Sequence, residues 1–570
     1  MDAKEKYLSR PWVKSYNEWI PADMEIPVKS IGQYFDEAVD AHKDKPSLIF
    51  YGRKISLHEL KGLVDRFARG LQELGVKKGD TIALMLLNSP QFIIAFYAAM
   101  KLGAIITPIS PVYVTPEIKY QCEDSKAKHI VCMDILWEKV EATGIKFDNV
   151  ILTNIGEFLP ATKRLLGSSI LKSVYKKMEV PSTQIYQKEG YHQFADILKK
   201  YQPDAPVVTI DPKEDIATLL YTGGTTGWPK GAMLTHYSLL ADIEMVKAFF
   251  GPTFKDGQEI LIAFGPFYHI AGLSTVVVSA VLRGFTSVIF TTLDLDAVLD
   301  AVESYKATWF FGVPSFWDNL KDYDKTMRVN WKRLSVLVTG ADALLEDTAK
   351  AWERRTGTHL HDSYGLSECS SMTHSNPINK TRLGSFGVPI SCTQCAIIRP
   401  DSEEFVPVGE VGEVIVKGPQ LFKGYWNKPD ATAEQLIQID GETWFRTGDL
   451  AHMDEEGYFF FYDRKKDIIK YKGYQVYARM VEEIIKGHPK VREVGVIGVP
   501  DASVGEQVKA YVVLESEARG KLTESEITDF CKDKLAHYMI PKIIEFRGEI
   551  PKTDIGKVSR RELREEVLEE

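Results

Sequence analysis

The chain has 570 residues, more than a single hydrophobic core usually serves, so we expect two or more domains. Hydrophobic residues make up 44% and charged residues 26% of it, which is ordinary for a soluble globular enzyme. The formal net charge of −9 argues against a nucleic-acid-binding surface. We therefore expect no nucleic acid among its partners.

The start of the chain and its cysteines favour a cytoplasmic protein. The opening MDAKEKYLSR carries charges where a secretory signal needs an apolar run. Six cysteines are too few for a disulfide framework in a chain of this length. Cys392 and Cys395 form a single C-x-x-C with no second pair, so we interpret SCTQCAII as a strand with alternating side chains rather than as half a zinc site or a redox pair.

The first recognisable elements alternate between helix and strand. Apolar residues from Ser56 to Gly75 follow helical spacing, and Ser56 with Glu59 matches a capping box. A strand at 81–87, a helix over 90–102 and a second strand, AIITPI, come next. This order predicts a crossover within a parallel sheet that is covered on both faces.

The segment at 161–178, ATKRLLGSSILKSVYKKM, contains five basic and no acidic residues, with apolar residues between them. One interpretation is a basic amphipathic patch that makes transient contact with an anionic membrane surface. The alternative, which we favour, is a solvated surface helix or loop.

The segment YTGGTTGWPKG, Tyr221 to Gly231, has the composition of a phosphate-binding loop. Its glycines permit the φ > 0 backbone with which successive N–H groups can turn inward around an anion. Threonines add hydroxyl donors, and Lys230 adds a positive charge at the end of the loop. The segment is not the common P-loop, in which Ser or Thr follows the lysine.

The alternation of strands and helices returns at 287–314 and 335–345, so the large N-terminal region is expected to be layered α/β with strand-end loops available for binding. After Asp463 the chain becomes a shorter, charge-rich α+β module. Its predicted elements are strands at 494–500 and 507–514 and a capped helix over 523–536.

Four stretches, in order along the chain, resemble the signatures of the AMP-forming, adenylate-generating superfamily of acyl-CoA synthetases, luciferases and peptide-synthetase adenylation domains. They are the loop at 221–231, DSYGLSE at 362–368, TGDL at 447–450 with DRKKDIIKYKGYQV at 463–476, and PKTDIGKVSR at 551–560. The resemblance is strongest to long- and medium-chain fatty acid–CoA ligases. It implies a layered α/β domain at 1–465, a small mobile α+β domain at 466–570 and a hinge near Lys466.

The resemblance also implies a reaction. An AMP-forming acyl-CoA synthetase, a ligase that makes a carbon–sulfur bond, uses ATP and Mg²⁺ to convert a carboxylic acid into an acyl-adenylate and pyrophosphate. It then transfers the acyl group to coenzyme A. The first step requires positioning and charge neutralisation rather than covalent catalysis. The implied partners are a small carboxylic acid, ATP and coenzyme A, with the oligomeric state left open and a homodimer among the options.

By the same resemblance, Lys557 bridges the carboxylate and the α-phosphate, and Glu368 with Thr222 holds the magnesium ion. Tyr364 stacks on adenine and Asp449 accepts the ribose hydroxyls. With His269 at the mouth of the acyl pocket, the implied catalytic residues are Lys557, Thr222, Glu368 and His269. The implied nucleotide- and coenzyme-binding residues are Thr222, Gly223, Gly224, Thr225, Thr226, Gly227, Lys230, Gly340, Ala341, Asp362, Ser363, Tyr364, Gly365, Ser367, Asp449, Arg464, Lys472, Gly473 and Lys557.

In the second half-reaction, the family's small domain rotates about its hinge, so Lys472 and Gly473 would line the pantetheine tunnel. The chain departs from the family pattern just beyond them. Ala478 and Met480 stand where the family usually has Pro and Glu. This departure leaves the loop geometry of the thiolation face open.

Substrate choice is expected to follow the acyl pocket. Gly365 stands where acetyl-CoA synthetases carry a tryptophan that closes the cavity, so acetate is not the expected acid. Phe267 and Tyr268 stand where amino-acid-activating relatives place an aspartate, which disfavours an amino acid because a buried ammonium needs a partner. A medium- or long-chain fatty acid is favoured. The alternatives are a short hydroxylated or branched acid such as 4-hydroxybutyrate, a luciferase-like oxidation, or another acceptor than coenzyme A.

Overall fold

The structure is a computed structural model that describes residues 2–160, 189–222, 228–472, 474–501, 503–553 and 556–569. Five predicted loop residues, Gly223, Gly224, Thr225, Thr226 and Gly227, lie outside the described residues, as does Gly473. The basic segment at 161–178 also lies outside them.

A seven-stranded sheet is built from residues before 236. Its neighbouring strands are parallel except for the last pair, which is an antiparallel hairpin. The predicted parallel alignment of the strands at Thr81–Met85 and Ile105–Pro108 is confirmed. In spatial order the strands are Tyr191–Gln193, Asn149–Thr153, Ala127–Met133, Thr81–Met85, Ile105–Pro108, Ile216–Thr222 and Lys230–Thr235.

A nine-stranded sheet forms the second layer and is parallel through its middle, with antiparallel strands at both edges. In spatial order its strands are Val388–Pro389, Ser371–Ser375, His361–Leu366, Val336–Gly340, Trp309–Gly312, Ile260–Ala263, Thr286–Ile289, Pro46–Phe50 and Arg53–Ser56. The carboxyl ends of parallel strands are where α/β sheets bind ligands.

Two smaller sheets follow, each of five strands. The first contains Gln394–Ile398, Gly412–Lys417, Glu442–Met453, Leu436–Ile439 and Phe459–Arg464. The second contains Tyr474–Tyr477, Ile468–Tyr471, Gly505–Leu514, Val491–Asp501 and Ile543–Arg547. A short 3₁₀ turn, Lys465–Asp467, is all that separates the last strand of the first sheet from the next strand along the chain.

Helices cover the sheets. In the described part of the chain the α-helices are Ala3–Leu8, Ile31–His42, Leu57–Glu73, Pro90–Leu102, Thr115–Asp124, Trp137–Glu141, Phe194–Lys200, His236–Phe250, Ile270–Gly272, Leu295–Ser304, Pro314–Leu320, Glu346–Thr356, Pro429–Gln435, Ala478–Lys486, Glu524–Lys532 and Arg560–Glu569, and a π-helix spans Leu273–Ala280. None of the described helices is long and apolar enough to cross a membrane.

The predicted mixed α/β class, with a large N-terminal part and a smaller C-terminal part, is confirmed. The helix Leu57–Glu73 begins as predicted, with the Ser56 side chain accepting the Glu59 N–H at 3.1 Å. The helix predicted over 523–536 is shorter, Glu524–Lys532, and its capping box between Thr523 and Glu526 is complete. Both N-termini thus satisfy backbone donors that would otherwise lack partners.

One cysteine-containing strand is shorter than predicted. It spans only Gln394–Ile398. Its residues are buried along most of its length, whereas the prediction was that exposed and buried side chains alternate. Cys392 lies before it in a turn with a φ of 59°, and its sulfur accepts the Met24 N–H at 3.2 Å. All six cysteines are free thiols. The C-x-x-C is therefore two packing residues in different local structures.

Gly387 provides a test of packing in the N-terminal part of the chain. Its φ is 96°, and a Cβ there would overlap the Ser375 backbone of the neighbouring strand. Gly409 has nearly the same φ, 93°, but open space around it. We expect Gly409→Ala to cost about 1 kcal/mol through backbone strain alone. Gly387→Ala should cost about 1–3 kcal/mol more because of the overlap. Thermal unfolding followed by circular dichroism measures the difference, and equal shifts for the two variants would contradict the packing argument.

Candidate active site

Two paired strands flank the segment that is predicted to bind phosphate, and we call them the two-stranded stem. Thr222 ends one strand and Lys230 begins the next, and the two residues lie opposite each other in the antiparallel pair. The Lys230 ammonium lies 5.3 Å from the centre of the Tyr425 ring, a distance at which a cation is attracted to an aromatic face. The stem therefore delivers a hydroxyl and a positive charge to the same end of the seven-stranded sheet.

Glu368 connects this stem to the nine-stranded sheet. It lies in the short 3₁₀ turn Ser367–Cys369, directly after the strand His361–Leu366, and its side chain is buried. Its Oε1 accepts the Tyr425 hydroxyl at 2.8 Å and the Thr222 hydroxyl at 3.4 Å. Two predicted residues thus meet, and Tyr425 joins them although nothing in its local sequence, FKGYW, indicated chemistry.

The carboxylate of Glu368 fits a magnesium ion that phosphate oxygens also coordinate. Within the described residues, hydrogen bonds reach Oε1, and none reaches the other carboxylate oxygen, Oε2. Mg²⁺ in nucleotide sites is usually held by one or two carboxylates together with phosphate oxygens and water. In the same part of the chain, no three His, Cys, Asp or Glu residues converge to hold a metal by themselves. A single carboxylate beside a phosphate loop fits that requirement.

Asp449, Tyr364 and Arg464 form a second group. Asp449 is only 4% exposed, and its Oδ2 accepts the Tyr364 hydroxyl at 2.6 Å. Arg464 faces Asp449 on the adjacent strand, with its Nε 3.5 Å from Oδ1. The Tyr364 ring also packs on Phe386, with 4.7 Å between ring centres. Asp449 thus contacts two other residues that are predicted to bind the nucleoside.

Two neighbouring strands of the nine-stranded sheet, which contain residues 340 and 363, contribute mainly backbone atoms to the candidate site. A Cβ at Gly340 would lie 2.7 Å from the Ser363 carbonyl oxygen, so a larger residue cannot fit between these two strands. Ala341 follows with a φ of 69°. Asp362 accepts the Ser363 N–H at 3.0 Å, and burial raises the pKa of its carboxyl to about 8. The predicted residues at 340–341 and 362–363 thus form one continuous edge.

Gly365 lies at an irregularity in the strand pairing. A Cβ there would overlap the carbonyl oxygen of Ser371 on the adjacent strand. Ser367, two residues further on, accepts the Ser370 N–H at 3.1 Å through its carbonyl. The adjacent strand therefore requires that residue 365 has no side chain.

His269 lies at the start of the short helix Ile270–Gly272, and its Nδ1 accepts the Ala271 N–H at 3.3 Å. Burial, with a further contribution from the positive charge of Lys557, lowers the pKa of its imidazole to about 4. The neutral ring therefore carries its proton on Nε2, which is a donor. The π-helix Leu273–Ala280 follows directly, a rare conformation that often occurs near functional sites.

Lys557, in the C-terminal part of the chain, interacts electrostatically with these residues. It is half-buried, and burial is the main reason that the pKa of its ammonium is lowered. The charges that act on it are those of Asp342, Arg464 and Asp449. Asp342, exposed and next to Ala341, is a further site residue that sequence reasoning missed. Lys557 and His269, separated by nearly 300 positions, are thus electrostatic neighbours.

Lys472 lies away from the residues around Lys557. It lies exposed in the turn between Ile468–Tyr471 and Tyr474–Tyr477, with a φ of 48°. Its backbone N–H donates to the Val504 carbonyl at 2.7 Å, and its ammonium is 5.9 Å from the Tyr471 ring centre. Tyr471 belongs to the second five-stranded sheet, and Val504 lies in the turn between two of its strands. In this arrangement Lys557, and not Lys472, interacts electrostatically with residues that are predicted to bind the nucleotide.

Comparison with known proteins identifies the family. Residues 35–426 match the AMP-binding enzyme family, and residues 480–557 match the AMP-binding enzyme C-terminal domain. The chain belongs to the AMP-binding enzyme family.

Individual relatives cover almost the whole chain. A long-chain-fatty-acid–CoA ligase of Bacillus subtilis is 37% identical over 564 residues, which is 98% of each chain. One of Escherichia coli O6:H1 is 34% identical over 568 residues, 98% of this chain and 99% of that protein. Among solved structures, ATP-bound MatB from Rhodopseudomonas palustris is similar, with a TM-score of 0.78 at 27% identity over 94% of this chain and 99% of that one.

The pKa of His269 leads to a prediction about pH. Because its folded-state pKa is about 4 rather than 6.5, the ring stays neutral as the pH falls through the range in which histidines usually gain a proton. We expect His269→Asn to lower kcat/KM for the acid by the same factor at every pH from about 6 to 8. Pyrophosphate exchange measured across that range tests this. An acid-side inflection that is present in the wild type and lost in the variant would contradict it.

Proposed function

We propose that this chain is a long-chain fatty acid–CoA ligase that forms an acyl-adenylate from the acid and ATP and then transfers the acyl group to coenzyme A. The observation that carries the proposal is that Lys557, from the C-terminal part of the chain, interacts electrostatically with His269, Asp449 and Arg464. Full-length relatives named long-chain-fatty-acid–CoA ligases support the same activity and the class of acid.

We further propose two domains, 1–465 and 466–570, with a hinge near Lys466. The support is a change of sheet at this point, since Phe459–Arg464 pairs in one sheet and Ile468–Tyr471 in another. The short turn between them is the only covalent connection. A cytoplasmic location agrees with six free thiols. The homodimer and the contact of 161–178 with a membrane surface remain hypotheses.

Adenylate formation requires the acid's carboxylate to approach the α-phosphorus in spite of charge repulsion. We assign Lys557 to bridge the two, because an ammonium on a flexible stem can neutralise both groups. His269 is assigned to donate from Nε2 to the carboxylate and so orient it. Asp449 is assigned to the ribose hydroxyls, with Arg464 beside it and Tyr364 fixing its position.

Glu368 and Thr222 are the residues assigned to hold Mg²⁺, with the phosphates completing its coordination. When bound, the ion supplies positive charge to the triphosphate and to the departing pyrophosphate. Tyr425 positions the Glu368 carboxylate through the hydrogen bond from its hydroxyl. The loop at 222–230 with Lys230 is assigned to the β- and γ-phosphates.

For thioester formation we assign Lys472 and Gly473 to the pantetheine tunnel after rotation of the small domain. The positions that depart from the family pattern differ in environment, since Ala478 is fully buried and Met480 is 39% exposed. Ala478 fits the start of the helix Ala478–Lys486, because alanine packs there without a polar group to satisfy.

The length of the acid is tested by AMP release with ATP, magnesium and coenzyme A, using saturated acids of about two to eighteen carbons and 4-hydroxybutyrate, with direct detection of the thioester. Because each buried CH₂ adds about 0.8 kcal/mol, the maximum kcat/KM is expected with the longer acids. A maximum with a short or hydroxylated acid would instead indicate a dedicated short-acid ligase. AMP without thioester would indicate another acceptor.

Lys557→Ala separates the two half-reactions. We expect adenylate formation to fall about 100-fold, because the bridging charge is lost, while thiolysis of supplied acyl-adenylate is retained. Lys552→Ala is the matched control, since Lys552 is a nearby lysine paired with Glu493 at 2.9 Å inside the small domain. Equal loss of both half-reactions in Lys557→Ala would refute its assignment.

A further inference from the structure

The turn at 465–467 is bridged by buried charges. Arg560 donates to both oxygens of Glu482, at 3.0 and 2.6 Å, to Asp467 at 3.0 Å and to Asp463 at 3.3 Å. Three carboxylates from three different elements thus converge on one guanidinium. We call Asp463, Asp467, Glu482, Arg560 and Arg479, which contacts Asp463, the cross-hinge network.

Asp463 is the member that belongs to the large domain. It pairs with Leu450 in the sheet that ends at Arg464, and its side chain is 1% exposed. One carboxylate oxygen accepts from Arg560, and the other accepts the Arg479 backbone N–H at 2.9 Å. Both donors lie beyond the turn, in the small domain. A rotation about the hinge must therefore break both contacts.

Arg479 crosses the boundary a second time. Its guanidinium lies 4.9 Å from the ring centre of Phe461, on the same large-domain strand as Asp463, and its Nε donates to Glu483 at 2.8 Å. It stands between Ala478 and Met480, the two positions that depart from the family pattern. The segment 478–480, which differs from the family pattern, thus makes both a main-chain and a side-chain contact with the large domain.

The cross-hinge network also restricts the position of Lys557. Arg560 begins the helix Arg560–Glu569 and is three residues after Lys557, so the two α-carbons are at most about 11 Å apart. Fixing Arg560 against Asp463 restricts the positions available to Lys557. The opposite end of the same segment is close to the large domain as well, since a Cβ at Gly556 would lie 3.8 Å from the Ser315 hydroxyl.

We propose that Asp463 and Arg479 are positioning residues for adenylate formation: they hold the small domain in the orientation that brings Lys557 to the nucleotide residues. The proposal rests on the proposed function and identifies which contacts stabilise one of its two orientations. In the rotated orientation Asp463 and Arg479 make none of these contacts across the hinge. Removing the contacts therefore destabilises only the orientation that forms the adenylate.

The variants are Asp463→Asn and Arg479→Met. The asparagine keeps an oxygen that can accept the Arg479 N–H but loses the charge facing Arg560. The methionine loses the charge over Phe461 and keeps most of the side-chain length. For contacts of this kind, coupling energies correspond to about a tenfold change. We expect each variant to lower pyrophosphate exchange about tenfold and to leave thiolysis of supplied acyl-adenylate unchanged or faster.

Arg547→Met is the matched control. Arg547 is also paired with a carboxylate, Glu566, at 2.5 Å, and also lies over an aromatic ring, that of Tyr511, at 4.2 Å. All of its partners belong to the small domain. Arg547→Met should therefore leave the ratio between the rates of the two half-reactions unchanged. The proposal is overturned if both half-reactions fall equally in Asp463→Asn and Arg479→Met, if neither changes, or if Arg547→Met alters their ratio in the same way.

A distance measurement makes the test independent of catalysis. Spin labels are placed on the full chain at two exposed positions, Val207 in the large domain and Glu517 in the small domain. The wild type should give one dominant distance, and both variants should shift population to a second. An unchanged distribution in variants that remain folded by circular dichroism overturns the proposal. A wild type that forms no thioester while the variants shift the distribution refutes the proposed function alone. If Asp463→Asn does not fold, Arg479→Met carries the same test, since its side chain is closer to the surface.

Discussion

The candidate site depends on one contact between two sheets. Thr222 ends a parallel strand of the seven-stranded sheet, Glu368 follows a parallel strand of the nine-stranded sheet, and the two side chains meet at 3.4 Å. Parallel strands place all their carboxyl ends at one edge, so two such edges brought face to face concentrate loops from distant parts of the chain. The two-stranded stem and the backbone edge at 340–341 lie at these strand ends, and Asp449, from the first five-stranded sheet, joins them through its hydrogen bond with Tyr364.

Burial affects the charged groups at these strand ends in different ways. Asp449 is buried with its oxygens occupied by Tyr364 and Arg464, while His269 is kept neutral by burial. Lys557 is held where burial works against its charge, and anionic groups would offset that cost. An ammonium in such a position gains most when a carboxylate and a phosphate both arrive, which is the situation in adenylate formation.

Much of the fold was predictable because it depends on local patterns. The helix Leu57–Glu73 and the strands at Thr81–Met85 and Ile105–Pro108 follow from apolar spacing and from a cap, which act over a few residues. The strand near Cys392 was predicted too long because its start is decided by a contact with Met24, more than 360 positions away. The end of the helix beginning at Glu524 was also overextended, since helix ends depend on packing that periodicity does not contain.

For the site, the sequence by itself determined which chemical groups are present and in which order, because motifs record residue types that bind phosphate, ribose and metal. Tertiary structure alone decided the partners. Tyr425 donates a hydrogen bond to Glu368, the charge of Asp342 acts on Lys557, Ser371 excludes a side chain at Gly365, and Asp463 accepts a hydrogen bond from Arg560. Each of these contacts joins residues that are not neighbours in sequence, through hydrogen bonds, charge or steric exclusion. Such forces act over a few ångströms in space, so they exist only once the sheets have come together.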